Sequence, residues 1–442
     1  MTPSSSGTFS VSPGAMLNFN QNYTVSNPAA GLPASGVALN FGILSLNGDK
    51  TFDAFTWTGG TMSGSGTTTI AAGGTLTVSG SNSKIMTGRA LIVNGSMVQT
   101  GSGGLSSTGA LTVSGAAAVF DLGASHSATA ATVTVDGGGI ITGTGTSGVT
   151  ATASFEMKSG AAGAILRGTG IPLNKTTAGT VTLSGANTYT GATSIKEGTL
   201  SAASLVVSGG ASGLGNATSA VALGDATHKG TLAYTGNSAT YTRGFTIAAG
   251  GGEVDATASG QTLTVATGAI TSASNGSLTL GGAGHTTIAS AISLGTGAVT
   301  KIGGGTLNLN GSQTYATLTT SGGITNVNSA IGTGSAVVLA NATINFTVSQ
   351  TLASLSIGNG VEVTFGNGSS FAPWDEGEGK TVDAPALVLE EDIAGTAASS
   401  GIAVFDASGI SAPVVPEPGA LTSLLCGAGM LLGLRRRQAA AK

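Results

Sequence analysis

The sequence is poor in cysteine, histidine and charge. Its 442 residues include a single cysteine, Cys426, and three histidines, and charged residues make up 8% of the chain. One cysteine cannot form an internal disulfide, and three scattered histidines are too few for a zinc site. Lys and Arg number 15 against 19 Asp and Glu, so no excess of positive charge favours nucleic acid, and we expect no nucleic-acid partner. We also predict no cofactor and no bound metal.

Aromatic residues are scarce as well, at 4% of the chain, whereas glycine and small polar residues are abundant. The chain contains 75 glycines, and 40% of its residues are apolar. The apolar fraction argues against disorder driven by charge, and the glycines do not follow the strict every-third spacing of collagen. The composition therefore indicates a folded chain of the β class.

One short phrase recurs between residues 35 and 370. It reads GTLTVSG at 74–80, GALTVSG at 109–115 and GTVTLSG at 179–185. Aliphatic residues alternate with Thr or Ser, and glycine closes both ends, which is the pattern of a short strand with one buried face. Later copies lie at 276–281 and 305–311, and with weaker copies between them, such as SLVVS at 204–208, the intervals run from about 15 to about 35 residues. Repeats of this size are typical of stacked or radial architectures.

The small side chains of these strands favour one stacked fold. Their inward positions are mostly Leu, Val, Ile and Ala, which are too few and too small to fill a large two-sheet sandwich. A narrow interior suits a parallel β-helix, in which glycine supplies the positive φ values of tight corners. We therefore predict an all-β fold, a parallel β-helix or solenoid of glycine-bounded strands over 35–370. A β-propeller is the competing fold, although regular blades and aromatic signatures are missing.

A continuous apolar run lies near the C-terminus. Residues 419–434, GALTSLLCGAGMLLGL, carry no charge and are followed at once by Arg435, Arg436 and Arg437. As a helix this run would be roughly 24 Å long, and bilayer thinning or snorkelling arginines would make up the remaining hydrocarbon thickness. We predict a C-terminal transmembrane helix at 419–434 that stops at the arginines, which stay cytoplasmic under the positive-inside rule.

A Pro-Glu-Pro motif precedes this run. Its residues are Val415, Pro416, Glu417 and Pro418. The motif, the apolar run and the arginine-rich end, in this order over 413–442, resemble the PEP-CTERM sorting signal of bacteria. The resemblance implies export, anchoring in the inner membrane, and processing near the motif by an exosortase, a membrane protease-transpeptidase. Delivery to the cell envelope, the surface or the extracellular matrix would follow.

Residues 1–34 lack the pattern of a signal peptide. The start, MTPSSS, has neither a basic n-region nor an apolar h-region. The start codon lies further upstream, the signal has been removed from the sequence, or the chain stays inside the cell. We favour the first two explanations, because the C-terminal signal implies export.

A second resemblance covers residues 175–201. The stretch 179–200, GTVTLSGANTYTGATSIKEGTL, is similar to the autotransporter-associated β-strand repeat, in which a Gly-x-Asn-x-Tyr-x-Gly turn joins two strands. The matching residues are Gly185, Asn187, Tyr189, Gly191, Gly198 and Leu200. The resemblance implies a β-helical passenger stalk on a bacterial surface.

Within this turn we expect Asn187 to bond its own turn backbone and Tyr189 to cover the end of the apolar channel. A weaker copy lies at 301–328, where Gln313 replaces the asparagine and the glycine after Tyr315 is lost.

Acidic residues of the body stand apart in the sequence. They include Asp121, Asp136, Asp225 and Asp255. The segment GGGEVD at 250–255 resembles one calcium-binding glycine turn, but without tandem copies it predicts a plain turn. Residues 371–412 contain an acidic cluster and Trp374, and we predict a cap or linker there whose charges block edge pairing.

Together these features predict a non-enzymatic, exported protein with a structural or adhesive role at the cell surface or in the extracellular polysaccharide matrix. Its expected partners are the exosortase, the membrane through the C-terminal helix, and extracellular polysaccharide, since outward Thr, Ser and Asn suit weak multivalent contacts with sugars. Two alternatives stay open. One is a β-helical polysaccharide hydrolase or lyase whose carboxylates meet across coils, and the other is a spacer that binds no partner.

Overall fold

The computed structural model describes residues 36–205, 210–332, 334–358 and 361–366 with their side chains, together with the backbone of four further short strands. Every regular element in the described part of the chain is a β-strand. The chain divides into two compact units, residues 1–219 and 220–442.

The first unit contains twenty strands. They are β1 Leu17–Phe19, β2 Tyr23–Val25, β3 Val37–Leu39, β4 Ile43–Leu46, β5 Lys50–Trp57, β6 Gly60–Ser63, β7 Thr67–Val78, β8 Lys84–Thr87, β9 Ala90–Val93, β10 Ser96–Gln99, β11 Leu105–Ser107, β12 Leu111–Ser114, β13 Val119–Ala124, β14 Ser127–Asp136, β15 Gly139–Thr144, β16 Gly148–Met157, β17 Gly160–Ala162, β18 Ile165–Arg167, β19 Leu173–Leu183 and β20 Thr193–Ala202.

These strands stack in parallel, each on a strand of the neighbouring coil. One ladder joins, in register, Leu17, Val37, Phe55, Leu76, Met97, Phe120, Ile141, Ala162, Leu183 and Ala202. Two further ladders run through Leu44 and Met62 and through Ile70 and Val93. Three ladders of short parallel strands form a solenoid, as the sequence predicts. Parallel pairing also rules out the β-propeller, whose blades are antiparallel.

The second unit contains the remaining strands. They are β21 Val221–Leu223, β22 Gly230–Tyr234, β23 Ala239–Tyr241, β24 Phe245–Ile247, β25 Gly252–Ala256, β26 Thr262–Val265, β27 Ile270–Thr271, β28 Leu278–Gly281, β29 His285–Ile288, β30 Ile292–Ser293, β31 Ala298–Lys301, β32 Thr306–Leu309, β33 Gln313–Thr314, β34 Thr317–Thr320, β35 Ile324–Val327, β36 Ala336–Leu339, β37 Thr343–Phe346, β38 Gln350–Leu352, β39 Ser354–Ile357, β40 Glu362–Phe365, β41 Phe371–Pro373 and β42 Gly401–Val404.

The second unit is also a parallel solenoid. One ladder joins, in register, Tyr241, Val265, Ile288, Leu309, Val327, Phe346 and Phe365. A second passes through Leu232, Val254 and Leu280. The pairing changes at β42, which lies antiparallel on β40. Strand β42 belongs to the predicted cap at 371–412, most of which lies outside the described residues.

Strict alternation along each strand builds the core. In β32, Leu307 and Leu309 are fully buried, whereas Thr306 and Asn308 are half-buried. Burying such an aliphatic side chain contributes about 1.5–3 kcal/mol. Because each coil repeats the pattern, the interior of each unit is a continuous column of small and medium apolar side chains.

Glycine is required where one coil passes close to the next. A Cβ built on Gly305 would lie 1.7 Å from the carbonyl oxygen of Gly284, one coil earlier. The neighbouring Gly304 has open space around its Cβ position. Two adjacent glycines of one Gly-Gly-Gly run therefore differ: the preceding coil leaves no room for a side chain at Gly305 but leaves room for one at Gly304.

Buried cations bind the carbonyl groups of some corners. Lys301 is 3% exposed, and its Nζ donates to the carbonyls of Ile302 and Gly303, both at 2.7 Å, and of Gly322 at 3.2 Å. Burial lowers the pKa of Lys301 to about 8. The three carbonyl dipoles offset this desolvation, and they tie one coil to the next.

Arg89 also donates hydrogen bonds to backbone carbonyls and so connects three coils. Its guanidinium is 1% exposed and donates to the carbonyls of Leu46, Gly48 and Thr67 at 2.7, 3.1 and 2.6 Å. These carbonyls come from the two coils that precede Arg89 in the stack. The side chain thus satisfies backbone groups that a purely apolar interior would leave without partners.

We predict opposite effects for alanine at the two adjacent glycines. Gly305→Ala should lower the free energy of unfolding by about 1–3 kcal/mol, because its methyl group overlaps the backbone of the coil below. Gly304→Ala should be neutral or stabilise by about 0.4–1 kcal/mol, because it restricts only the unfolded chain. Urea unfolding followed by circular dichroism measures both, and equal destabilisation would show that the corner is not packed as described.

Candidate binding surface

The second unit carries a regular row of amides and hydroxyls on its outer surface. Its central column consists of the outward side chains Thr264, Thr287, Asn308, Asn326, Asn345 and Thr364, which follow one another in register. A second column beside it consists of Asn310, Asn328 and Thr347. We call these two columns the Asn/Thr face.

Hydrogen bonds link the central column from coil to coil. The Nδ2 atom of Asn326 donates to Oδ1 of Asn308 at 2.7 Å, and Nδ2 of Asn345 donates to Oδ1 of Asn326 at 2.7 Å. At the ends, Asn308 Nδ2 donates to Thr287 Oγ1 at 3.1 Å, and Thr364 donates to Asn345. The amides are therefore held in one orientation, as in the asparagine ladders of stacked strands.

The second column repeats this arrangement at more exposed positions. Asn328 Nδ2 donates to Asn310 Oδ1 at 2.7 Å, and Thr347 Oγ1 donates to Asn328 Oδ1 at 2.9 Å. A primary amide has two N–H donors and an oxygen that accepts twice. The ladder uses at most one donor and one acceptor of each linked amide, so hydrogen-bonding capacity remains on the outer side.

Charge is confined to the margin of this surface. The column on the other side of the central one contains His285, whose Nδ1 accepts from the backbone N–H of Thr306 at 3.0 Å, and Glu362. It also contains Ile324, an aliphatic side chain that is 41% exposed. The surface thus combines uncharged polar columns with one exposed apolar side chain.

The repeat motif places Asn187 between coils. Its side chain is fully buried, Oδ1 accepts from the backbone N–H of Leu166 at 2.8 Å, and Nδ2 donates to the carbonyl of Gly213 at 2.9 Å. The expectation that Asn187 bonds its own turn is wrong. The amide points at the neighbouring coils because their unpaired backbone groups face it in the interior, where no water can satisfy them.

Tyr189 lies inside the stack instead of covering an end of the channel. It is fully buried, its ring centre is 5.8 Å from that of Phe155, and its hydroxyl is 2.9 Å from Thr193 Oγ1. A Cβ on Gly215 would lie 2.8 Å from the tyrosine ring, so the following coil covers its other side. The expectation of a channel cover is therefore wrong, because coils lie on both sides.

The other motif residues fit the close approach of neighbouring coils. A Cβ on Gly185 would lie 2.6 Å from the carbonyl oxygen of Ala164, and one on Gly191 would lie 2.3 Å from the carbonyl carbon of Ile171. Gly198 has a φ of 70°, and Leu200 is fully buried. Gly185 and Leu200 are buried and Gly191 and Gly198 are half-buried, so these residues serve packing within the solenoid.

In the weaker copy of the motif, only some of the polar groups have hydrogen-bond partners. Gln313 Nε2 donates to the carbonyl of Gly311 at 2.7 Å, but its Oε1 and the buried hydroxyl of Tyr315 have no hydrogen-bond partner among the described residues. Burial also raises the pKa of Tyr315. Gln313 and Tyr315 therefore lack the hydrogen bonds that Asn187 and Tyr189 make in the complete motif.

One pair of carboxylates comes together, at the segment GGGEVD. Glu253 and Asp255 lie two residues apart on β25, their side chains share a hydrogen bond, and Lys229 pairs with Glu253. Burial, then the nearby charge of Glu253, raises the pKa of Asp255 to about 6. Elsewhere, Asp136 pairs with Lys158 at 3.6 Å and Asp225 with His228 at 3.1 Å.

The sorting motif and the arginine stop lie outside the described residues. These residues are Val415, Pro416, Glu417, Pro418, Arg435, Arg436 and Arg437, and the predicted helix at 419–434 lies there too. Within the described part of the chain, no helix has the length and apolar character needed to cross a membrane.

The Asn/Thr face was not located from the sequence, which indicated only outward Thr, Ser and Asn in general. Its signal is the recurrence of Asn at matched strand positions, as in TLNLN at 306–310, ITNVN at 324–328 and TINFT at 343–347. Such alignment needs the coil register, because coils of 18 and 21 residues both occur in this region.

We predict that the two motif tyrosines respond differently to loss of their hydroxyl. Tyr189→Phe should cost about 1–3 kcal/mol, because it leaves the buried Thr193 hydroxyl without this partner. Tyr315→Phe is the matched control and should be neutral or stabilising, because the hydroxyl removed has no hydrogen-bond partner among the residues that the structure describes. Urea unfolding of both variants measures the difference, and an equal loss would contradict the assigned contacts.

The carboxylate pair predicts a pH effect on stability. Because the folded pKa of Asp255, about 6, lies above its unfolded value near 3.9, the folded chain binds more protons between these pH values. Stability from this group is present below about pH 4 and is lost as the pH rises through 6. Asp255→Asn should therefore stabilise at pH 7 by about 1 kcal/mol, after allowance for solvent screening, and change little at pH 4.

Thermal unfolding at both pH values checks this, with Asp53→Asn as the control for loss of an exposed acidic group. A gain that is the same at pH 4 and pH 7 would contradict it.

Comparison with known proteins supports the resemblance at the repeat. The passenger-associated transport repeat matches residues 173–202, which include all six motif residues. Adhesin BmaC autotransporter of Brucella suis biovar 1 (strain 1330) is 39% identical over 136 residues, which cover 29% of this chain. The matched part spans 4% of the length of that adhesin. No solved structure matches. The described part of the chain is thus an all-β parallel solenoid that contains a passenger-type repeat, and the chain is similar over part of its length to an autotransporter adhesin.

Proposed function

We propose that this chain is an exported, non-enzymatic protein of the bacterial cell surface or extracellular matrix, with an adhesive or structural role and with polysaccharide as its ligand. The observation that carries the proposal is the outer surface of the solenoid, where side chains repeat as uncharged amides and hydroxyls while the interior is closed by packing. The passenger-type repeat and the partial similarity to an adhesin support the same role.

A repetitive surface suits adhesion for a physical reason. Each hydroxyl or amide contributes only a weak contact, about 0.5–1.5 kcal/mol net. Many such contacts on one rigid scaffold act together, because the first one raises the effective concentration of the rest. A long polymer ligand therefore matches a solenoid better than a small molecule does.

Sorting by the C-terminal segment is the second part of the proposal. The Pro-Glu-Pro motif at 416–418, the apolar run at 419–434 and the arginines at 435–437 would hold the chain in the inner membrane until an exosortase-type protease acts. Proline lacks the backbone N–H that a helix uses and disfavours helical dihedrals in the residue before it, so the Pro-Glu-Pro sequence favours a motif that a protease can reach. Release would then deliver the solenoid to the envelope or the matrix.

The carboxylate pair favours a polysaccharide-degrading enzyme as a second candidate, but its geometry suits that chemistry less well. The two oxygen atoms of a hydrogen bond between carboxyl groups lie about 2.5–3.0 Å apart. Glycosidases need about 5–5.5 Å for a retaining mechanism and more for an inverting one. Lys229 also forms an ion pair with Glu253, so one of the two carboxylates is already engaged by a cation.

We predict that removal of the sorting segment changes where the protein is found. Expressed behind an added secretory signal in a bacterium with an exosortase, the full chain should be retained by the envelope, and a chain lacking 414–442 should appear in the medium. The variant Pro416→Ala/Pro418→Ala should stay at the inner membrane unprocessed. Cell fractionation and immunoblotting measure this, and Pro413→Ala is the matched control.

Retention of the truncated chain at the envelope would contradict sorting by this segment. The purified chain could instead release reducing sugar from a polysaccharide, and the variant Glu253→Gln could lose this activity. Those two results together would replace the adhesive proposal with the enzymatic one.

A further inference from the structure

The Asn/Thr face holds its polar groups in place before any ligand arrives. Asn308, Asn326 and Asn345 are half-buried, and each amide is fixed by a hydrogen bond to the coil before it. A side chain already restricted to one orientation loses little conformational entropy on binding. By contrast, the Thr279, Thr300 and Thr319 column on another ladder of this unit has hydroxyls but no amides.

The charge of the face limits the class of ligand. Its two columns contain only threonine and asparagine over the coils from Thr264 to Thr364, so they offer no ionised group. Nucleic acids and acidic polysaccharides bind mainly through pairing of their anionic groups with Lys and Arg, which these columns lack. An uncharged polymer with many hydroxyls matches amides that both donate and accept.

The spacing of the face limits the shape of the ligand. Neighbouring parallel strands lie about 4.7–4.9 Å apart, so successive amides of the column repeat at this interval. One sugar ring of an extended β-linked glycan advances its chain by a similar distance. Beside Asn326, the exposed Ile324 offers an apolar contact for the C–H face of a ring.

We infer that the Asn/Thr face binds an uncharged, extended β-linked polysaccharide whose chain crosses the strands and follows the amide ladder, with about one sugar ring per coil. The inference rests on the proposed function and deepens it, because it names the binding surface, the class of glycan and the direction of the chain.

The first experiment measures how binding depends on ligand length. The full chain is titrated with β-1,4-linked glucan oligosaccharides of increasing length, and in parallel with a carboxylated glucan of matched length. We expect affinity to rise with each added ring until the oligosaccharide spans the described ladder, because the contacts act together. The carboxylated glucan should bind more weakly at every length.

The second experiment removes the ladder. The variant Asn308→Ala/Asn326→Ala/Asn345→Ala should lower the affinity for the longest oligosaccharide about tenfold or more, since three hydrogen-bonding side chains are lost. The matched control Thr279→Ala/Thr300→Ala/Thr319→Ala alters three successive coils of another ladder and should leave affinity unchanged. Circular dichroism confirms folding, and Asn328→Ala, at an exposed position, replaces the triple variant if that variant does not fold.

Several results would overturn the inference. The first is an equal loss of affinity for the oligosaccharide in both triple variants. The second is an affinity that does not depend on the length of the oligosaccharide. The third is tighter binding to the carboxylated glucan or to a protein-coated surface. Adhesion of cells that display the chain is measured with the same variants. Adhesion without glucan binding would reject this inference and leave the proposed function standing, whereas absence of adhesion and of envelope localisation would reject the proposed function itself.

Discussion

Parallel pairing of each coil with the next is the interaction on which the rest of this structure depends. Register fixes which residue lies above which, so one ladder can carry Tyr241, Val265 and Ile288 into a single buried column. The same register aligns Asn308 with Asn326 on the opposite side of the strand. A slip of one residue would exchange the two faces and place amides in the interior. Core and candidate binding surface are therefore two results of one set of backbone hydrogen bonds.

Close stacking explains both the glycines and the buried cations. Where coils turn, the backbone of one coil occupies the space that a side chain of the next would need, as at Gly191. Turning also leaves carbonyl groups without strand partners. Arg89 and Lys301 supply donors to these carbonyls from within the stack, so a chain with few charges places some of them where they connect coils.

The fold was predictable from local patterns because a solenoid repeats them. Alternation in GTLTVSG at 74–80 correctly indicated a strand with one buried face, and the scarcity of aromatics correctly favoured a narrow interior. The contacts of Asn187 and Tyr189 were not predictable, because they depend on residues one to two coils away, at Leu166, Gly213 and Phe155. The ion pair of Glu253 with Lys229 was not predictable for the same reason, because the two residues lie about one coil apart in the sequence.

The amide ladder also has a direction. Asn326, Asn345 and Thr364 each donate to the residue of the preceding coil, and Thr347 does the same in the neighbouring column. Acceptors and donors are therefore ordered from one end of the row to the other, and the surface differs when it is read backwards. A polymer with two unlike ends meets a different sequence of partners in each of its two orientations, so this surface can distinguish a chain from the same chain reversed.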